Sequence, residues 1–111
     1  MSNDESPAVQ KILQIYEAVP HLKRLREDVL MADVWQQTEL GQRERSMITC
    51  AVLAVLGRDD ELASHVKRAV SNGVTSDELR GIIVHLCFYG GWPAGLAIGK
   101  AALPFLDDGI S

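Results

Sequence analysis

One segment near the middle of the chain constrains the fold more than any other. The residues from Met47 to Leu56 carry no charge and are apolar on every side of a helix. A helix of this kind is buried all round, and the segment is too short to cross a bilayer. We therefore predict a central helix that begins after Gly41, ends near Gly57, and packs against its own subunit and a neighbouring one.

The segments that precede this helix also repeat their apolar residues at helical spacing. Ser6 and Pro7 predict the start of a first helix, because serine can cap a helix and proline suits its first position. Pro20 is expected to end that helix. A second helix is predicted from about Leu22 to Trp35, followed by a polar connection.

The segments that follow it carry clear helix boundaries. Asp59 or Asp60 is predicted to cap a fourth helix, which ends at Asn72-Gly73. Thr75 and Glu78 have the spacing of a capping box at the start of a fifth helix.

The fifth helix is expected to end around Gly90-Gly91. Pro93 suits the first turn of a sixth helix, and Pro104 ends it. We see no strand pattern, so the sequence predicts one all-α domain of about six helices over residues 1–111, with N-terminal helices over residues 7–35.

The composition excludes several classes of protein. The net charge is -4 and acids sit beside each basic group, which argues against nucleic-acid binding. The sequence contains no run of 18 apolar residues, so it predicts no membrane span. Because the acidic, polar N-terminus does not resemble a leader, we expect a cytosolic location. Hydrophobic residues make up 47% of the chain but aromatic ones only 5%. We interpret this excess of small aliphatic residues as surface buried between subunits.

The two cysteines do not form a redox motif. Cys50 and Cys87 lie in apolar helical segments, and no C-x-x-C occurs. A structural disulfide is not expected in the cytosol. We interpret both cysteines as small packed hydrophobes.

Two pairs of side chains could carry chemistry. Glu61 and His65 are four residues apart on a helix and therefore share a face, and a carboxylate beside an imidazole is a minimal acid/base unit. His85 and Tyr89 repeat this spacing on the fifth helix. Three further candidates stand at helix boundaries or at the mouth of the apolar helix: Trp35, Arg45 and Trp92.

Each candidate also has a purely structural interpretation. Glu61 could serve only as a first-turn acid that favours the helix dipole, and the histidines could be half-buried residues of a core or interface. His65, Glu61 and His85 could supply three metal ligands, but no known metal-site spacing is present. A serine-hydrolase elbow, a phosphate loop and a dinucleotide fingerprint are absent from the sequence.

Taken together, several motifs in order resemble the carboxymuconolactone decarboxylase family, within the alkylhydroperoxidase D-like superfamily. The resemblance runs from about Val34 to Leu103. It rests on Val34-Trp35-Gln36, Leu40-x-x-Arg43-x-Arg45-Ser46-Met47, Glu61-Leu62-x-x-His65, Asn72-Gly73-Val74-Thr75 and Tyr89-Gly90-Gly91-Trp92-Pro93-Ala94.

The resemblance implies a cofactor-free lyase that decarboxylates a carboxylated muconolactone in aromatic catabolism. It implies that Arg45 holds a substrate carboxylate, that His65 donates a proton with Glu61 positioning it, and that Tyr89 or His85 stabilises an oxyanion. The remaining substrate-binding candidates are Trp35, Ser46 and Trp92. The implied partners are a small organic acid and further copies of the chain, in a trimer or hexamer.

Two alternatives remain beside this expectation. The peroxidases of the superfamily use a C-x-x-C-x-x-x-H motif whose histidine corresponds to His65, but whose cysteines correspond to Arg58 and Glu61. Redox chemistry would therefore depend on a single thiol. The other alternative is a non-catalytic oligomer that binds a small ligand. Gly81 stands where the family usually has an acid, and Gly90 where the decarboxylases often have a cysteine.

Overall fold

The structure is a computed structural model that describes residues 7–106. Its contacts divide the chain into two compact units, one ending at Gln42 and one beginning at Arg43. The division falls just after the polar connection expected from the sequence. Each unit is described by itself.

The first unit is a series of short helices. They are α1 (Pro7–Ala18), α2 (Pro20–Arg24), a π-helix (Leu25–Met31) and a 3₁₀ turn (Val34–Gln36). Pro20 is the first residue of α2, and Val19 before it has a non-helical backbone with φ −127°. The predicted break at Pro20 is therefore confirmed. The predicted start at Ser6 lies outside the described residues.

The prediction of one continuous second helix to Trp35 is wrong. After Leu25 the backbone widens from α to π spacing, and the Ala32 N–H donates to the Glu27 carbonyl five residues earlier, at 3.1 Å. The chain then tightens into the 3₁₀ turn that holds the buried Trp35. Apolar periodicity alone does not distinguish these helix types, because their spacings differ by less than one residue per turn.

The second unit contains four α-helices. They are α3 (Gln42–Val55), α4 (Asp59–Ser71), α5 (Ser76–Tyr89) and α6 (Trp92–Ala102), followed by a 3₁₀ turn (Leu103–Phe105). No strand occurs among residues 7–106. The six α-helices over this range confirm the predicted all-α class.

The turns of the second unit use glycines at positive φ. Gly57, with φ 74°, lies between α3 and α4, and Gly73, with φ 101°, follows the end of α4. Such a conformation strains any residue with a Cβ. The predicted end of α4 at Asn72-Gly73 is therefore confirmed with its physical cause.

Two of the predicted N-caps fall within the described residues, and one of them is confirmed. The Glu78 N–H donates to Thr75 Oγ1 at 3.1 Å, and the Thr75 N–H donates to Glu78 Oε1 at 2.9 Å, which completes the capping box of α5. The cap predicted at Asp59 or Asp60 is wrong, because Arg58 holds that position without a side-chain hydrogen bond. Both acids lie one step further, in the first turn of α4, where they favour the helix dipole.

The core of the second unit consists mostly of small and medium aliphatic side chains. Its buried members are Cys50, Ala54, Leu62, Val66, Ala69, Val74, Leu79, Leu86, Ala94, Ile98 and Ala102. All four helices contribute. Burial of this apolar surface is the main stabilising contribution to the unit.

Helix α3 is not buried all round within one chain. Its Ser46, Cys50 and Ala54 face the core, whereas Ile48 and Val52 remain about half exposed, at 50% and 49%. The predicted contact of this outer face with a neighbouring subunit stays a prediction.

Helices α5 and α6 approach each other closely at Gly95. A Cβ added there would clash with Cys87 Sγ and lie 2.7 Å from the Ile83 carbonyl oxygen. The thin sixth helix expected from its glycines and alanines therefore allows backbone-to-backbone packing. No helix among the described residues is long and apolar enough to span a bilayer.

Candidate functional site

The Glu61–His65 pair lies in the N-terminal half of α4. Both side chains are half-buried, at one edge of the stripe through which Leu62 and Val66 enter the core. Their i, i+4 spacing puts them on one face of the helix, with Cβ atoms about 5–6 Å apart. The pair is thus partly shielded from solvent and still accessible to a ligand.

Arg45 and Ser46 lie in the first turns of α3, beside the C-terminal end of α4. Ser46 is buried, and its hydroxyl accepts a hydrogen bond from Asn72 Nδ2 at 2.8 Å. Arg45 is half-buried, and its carbonyl accepts a hydrogen bond from Thr49 Oγ1 at 2.8 Å.

The Ser46–Asn72 hydrogen bond joins the start of α3 to the end of α4, the helix that carries His65. His65 precedes Asn72 by seven residues, which corresponds to about 10 Å along the axis of α4. Arg45 directly precedes Ser46 on α3, and an approach of its guanidinium to the His65 imidazole stays a prediction. Ser46 itself contributes a bond between helices, and its role in binding substrate stays a prediction.

Arg43 has a structural function that the motif spacing did not reveal. Its guanidinium pairs with Glu44 on the same helix and with Glu78 at the start of α5. Since Glu78 is a third exposed, this pair is screened only in part. Of the two motif arginines, Arg43 thus links α3 to α5, and the role of Arg45 in holding substrate stays a prediction.

The second predicted pair lies on an exposed face of α5. The rings of His85 and Tyr89 stack with centroids 4.6 Å apart and an interplanar angle of 24°. Phe88 and Trp92 meet edge to face at 5.8 Å. Phe88 and Tyr89 are 74% and 81% exposed, so neither ring lies in an enclosed pocket of the single chain.

Two of the cavities described within the second unit touch predicted site residues. A groove of about 450 Å³ between α3 and α5 includes Met47, Gly81 and His85. A cavity of about 760 Å³ between the end of α3, the start of α4 and α6 includes Trp92. The lining of these two cavities includes none of Arg45, Glu61, His65 and Tyr89, so neither cavity unites the predicted site.

Trp35 belongs to the first unit, where it is the buried residue of the 3₁₀ turn. Its predicted role as a wall of the substrate pocket stays a prediction. Among residues 7–106, no group of three or more histidine, cysteine, aspartate or glutamate side chains is arranged to hold a metal ion.

The two cysteines differ in their surroundings. Cys50 is 1% exposed, and burial raises the pKa of its thiol from 9.0 to about 11. Cys87 is half-buried, and its Sγ lies 3.9 Å from the Trp92 carbonyl oxygen. Since the thiolate is the reactive form, Cys50 is unsuited to peroxide chemistry at neutral pH.

We expect Cys50 to resist thiol reagents in the folded protein. At pH 8 its raised pKa keeps the thiol protonated, and its burial excludes the reagent. Titration with an aromatic disulfide should therefore detect no more than one thiol in the native chain and two after unfolding in guanidinium. A Cys87→Ser variant should show none until it unfolds; rapid reaction of its remaining thiol would contradict the assignment.

Sequence reasoning missed two charged residues at the larger cavity. Asp59 and Lys100 both line it. Each was open to a simple interpretation, because acids in a first turn and lysines in a last turn favour the helix dipole. Only the packing of α6 against α4 shows that they share a cavity.

Comparison with known protein families shows which family the chain belongs to. The sequence pattern of the carboxymuconolactone decarboxylase family matches residues 20–103. The chain belongs to this family. The match begins at residue 20, upstream of the resemblance seen in the sequence, which begins at about Val34. Both end at Leu103.

Two curated relatives of this chain are named as decarboxylases. The 4-carboxymuconolactone decarboxylase of Acinetobacter baylyi is 44% identical over 80 residues, which cover 71% of this chain and 60% of the relative. The nitrosuccinic acid decarboxylase of Metarhizium robertsii is 34% identical over 61 residues, covering 55% of this chain and 43% of the relative. The aligned regions thus span about half the length of these relatives.

Proposed function

We propose that the chain is a decarboxylase of a small carboxylated lactone of the 4-carboxymuconolactone type. The observation that carries the proposal is the 44% identity to an enzyme of that name, in a chain whose family match covers residues 20–103. Both relatives are named for the loss of carbon dioxide from an organic acid. The shared chemistry supports the reaction class more strongly than it supports either substrate.

The reaction can proceed on this substrate without a cofactor. The bond between the ring carbon and its carboxylate breaks, carbon dioxide leaves, and the electron pair moves through the conjugated double bond onto the lactone carbonyl oxygen. The pair then returns to form a C–H bond at a ring carbon, with a proton from the protein. The protein must therefore hold the acid, stabilise the oxyanion and deliver one proton.

Side chains of α3 and α4 are the proposed holders of these roles. Arg45 binds a substrate carboxylate, since a guanidinium matches carboxylate geometry with two parallel hydrogen bonds. His65 delivers the proton, and Glu61 one turn earlier orients the imidazole.

The oxyanion contact and the walls of the pocket complete this proposal. Tyr89 or His85 would donate to the lactone oxygen, and Trp92 would exclude water. Tyr89 and His85 stand on an exposed face of α5. We therefore propose that they meet substrate across a contact between copies of the chain.

A direct assay tests the function. The purified chain is incubated with 4-carboxymuconolactone, and released carbon dioxide is measured together with the loss of the substrate. Catalytic release supports the proposal. Saturable binding without turnover would favour the ligand-binding alternative, and peroxide consumption that disappears in a Cys87→Ser variant would favour the redox alternative.

We infer that the exposed face of α5 and α6 binds a second copy of the chain. Residues 81–99 contain no aspartate, glutamate, lysine or arginine, yet they expose large apolar side chains. These are Val84 at 60%, Phe88 at 74%, Tyr89 at 81%, Trp92 at 57% and Leu96 at 52%. An apolar patch of this kind on a small chain indicates an interaction surface.

Charge and area favour a copy of the same chain as the partner. The net charge of -4 makes two copies repel each other, and an uncharged face can pack against a second copy without bringing like charges into contact. The three exposed rings supply roughly 400 Å² per chain. Two copies then bury about 800 Å² through rings alone, and the aliphatic neighbours bring the contact towards the roughly 1,200 Å² of a stable interface.

A Phe88→Asp substitution should therefore dissociate the assembly. It places a carboxylate at the centre of the uncharged face, where a buried and unpaired charge costs several kcal/mol. Sedimentation velocity at micromolar concentration should show a larger species for the wild type and a monomer for the variant. Thr38→Asp adds the same charge at an exposed turn and should keep the assembly; a monomeric wild type would contradict the inference.

A further inference from the structure

The cavity between α3, α4 and α6 has the form of a ligand site. Its volume is about 760 Å³, within the range of small-molecule sites in proteins. Its walls are mainly aliphatic, with one large ring from Trp92. The aliphatic lining includes Val55, Leu62 and Leu96.

The positions of two glycines shape this cavity. Gly57 lies at its edge with φ 74° and turns the chain from α3 to α4. Gly90 lies where an added Cβ would come within 2.8 Å of Val55 Cγ2. Gly57 thus turns the chain back from α3 to α4, and Gly90 lets Val55 at the end of α3 approach the turn before α6.

Two charged side chains line the cavity without neutralising each other. Lys100 comes from the last turn of α6 and Asp59 from the first turn of α4. Among residues 7–106 no ion pair joins Lys100 to Asp59 or to another carboxylate. An ammonium beside an apolar wall and an aromatic ring is suited to an anion that carries a flat apolar body.

We propose that this cavity binds a small planar organic carboxylate, with its carboxylate on Lys100 and its ring against Trp92. Lys100 is then a ligand-binding residue of a second site, separate from the one proposed around Arg45 and His65. The choice of a carboxylate as ligand agrees with the proposed decarboxylase function. The volume and lining of the cavity do not depend on that function.

The test uses phthalate, an aromatic dicarboxylate that has no lactone carbonyl to accept electrons. Isothermal titration calorimetry measures its Kd, and the indole N–H signal of Trp92 in a ¹H–¹⁵N spectrum reports its location. That signal is assigned with a Trp92→Phe variant. We expect saturable binding at millimolar phthalate or below, with a shift of the Trp92 signal.

Lysine variants test the ammonium. Lys100→Met should raise the Kd about 10-fold or more, as expected for a lost charge-assisted contact, and Lys100→Arg should restore most of the affinity. Lys67→Met is the matched control, because Lys67 is an exposed lysine of α4 that does not line the cavity. Equal weakening by both methionine variants would reduce the effect to net charge and overturn the proposal.

Two further variants test the site itself. Ala63 is exposed at the rim, so Ala63→Phe should block binding while leaving the core unchanged. Asp59→Asn should tighten phthalate binding, because it removes a negative charge beside a dianion. Absence of saturable binding, or binding that does not shift the Trp92 signal, would overturn the proposal.

The outcomes separate this inference from the proposed decarboxylase. A chain that binds phthalate through Lys100 but releases no carbon dioxide retains the site and loses the function. A chain that decarboxylates its substrate with the KM and phthalate Kd unchanged in Lys100→Met retains the function and loses the site.

Discussion

Replacing Gly95 with alanine is expected to lower the free energy of unfolding by about 3 kcal/mol, at the upper end of the usual cost of overpacking. The new Cβ would clash with Cys87 Sγ and would lie 2.7 Å from the Ile83 carbonyl oxygen and 3.0 Å from the Cys87 backbone nitrogen. A side chain could rotate away, but two of these neighbours are backbone atoms of α5. Relief therefore requires α5 and α6 to separate, and that separation opens the core around Ile98.

The measurement is urea-induced unfolding followed by circular dichroism, with every variant at the same protein concentration because association changes apparent stability. Gly81→Ala is the matched control, since an added Cβ there meets nothing within 4 Å. It should stabilise α5 by about 0.5–1 kcal/mol, the usual gain from replacing a mid-helix glycine. Equal stability of the Gly95 variant and the wild type would contradict the close helix approach.

Replacing His65 with alanine is expected to lower the rate of decarboxylation by about 10²–10⁴-fold while the fold is retained. A positioned proton donor contributes that factor, which corresponds to roughly 3–5 kcal/mol of the barrier. His65 is only half-buried at the edge of the α4 stripe, so alanine leaves no cavity of core size. The loss should therefore appear in kcat and not in the unfolding midpoint.

The controls for His65 distinguish chemistry from charge. His21→Ala removes an exposed histidine of α2 and should leave the rate unchanged. Glu61→Gln should give a smaller loss than His65→Ala and should move the pH profile of kcat, because the carboxylate acts through the imidazole. A His65→Ala enzyme with wild-type turnover would remove His65 from the mechanism.

Local signals in the sequence predicted the second unit well. Thr75 and Glu78 define the start of α5 by themselves, because a capping box is a contact within four residues. Gly73 likewise defines the end of α4 through a backbone conformation that glycine adopts without strain. Such features depend on neighbours in the chain, and the sequence lists those neighbours directly.

Features that depend on long-range packing were not predictable in the same way. The π-helix from Leu25 to Met31 shares its apolar pattern with an α-helix. The cavity that unites Asp59 and Lys100 arises from residues about 40 positions apart, which only the packing of α6 on α4 brings together. The shared face of Glu61 and His65 on α4 was predictable because their spacing is local, whereas their absence from the cavities lined by His85 and Trp92 was not.

The two oxygens of Glu78 have different partners, and this has a consequence for how the unit unfolds. Oε1 accepts the Thr75 N–H that begins α5, while Oε2 pairs with Arg43 at the beginning of α3. The first turn of one helix and the attachment of another thus depend on a single carboxylate. Fraying of α5 at its start therefore also breaks the ion pair to the first turn of α3, so the opening of these two helix ends is coupled.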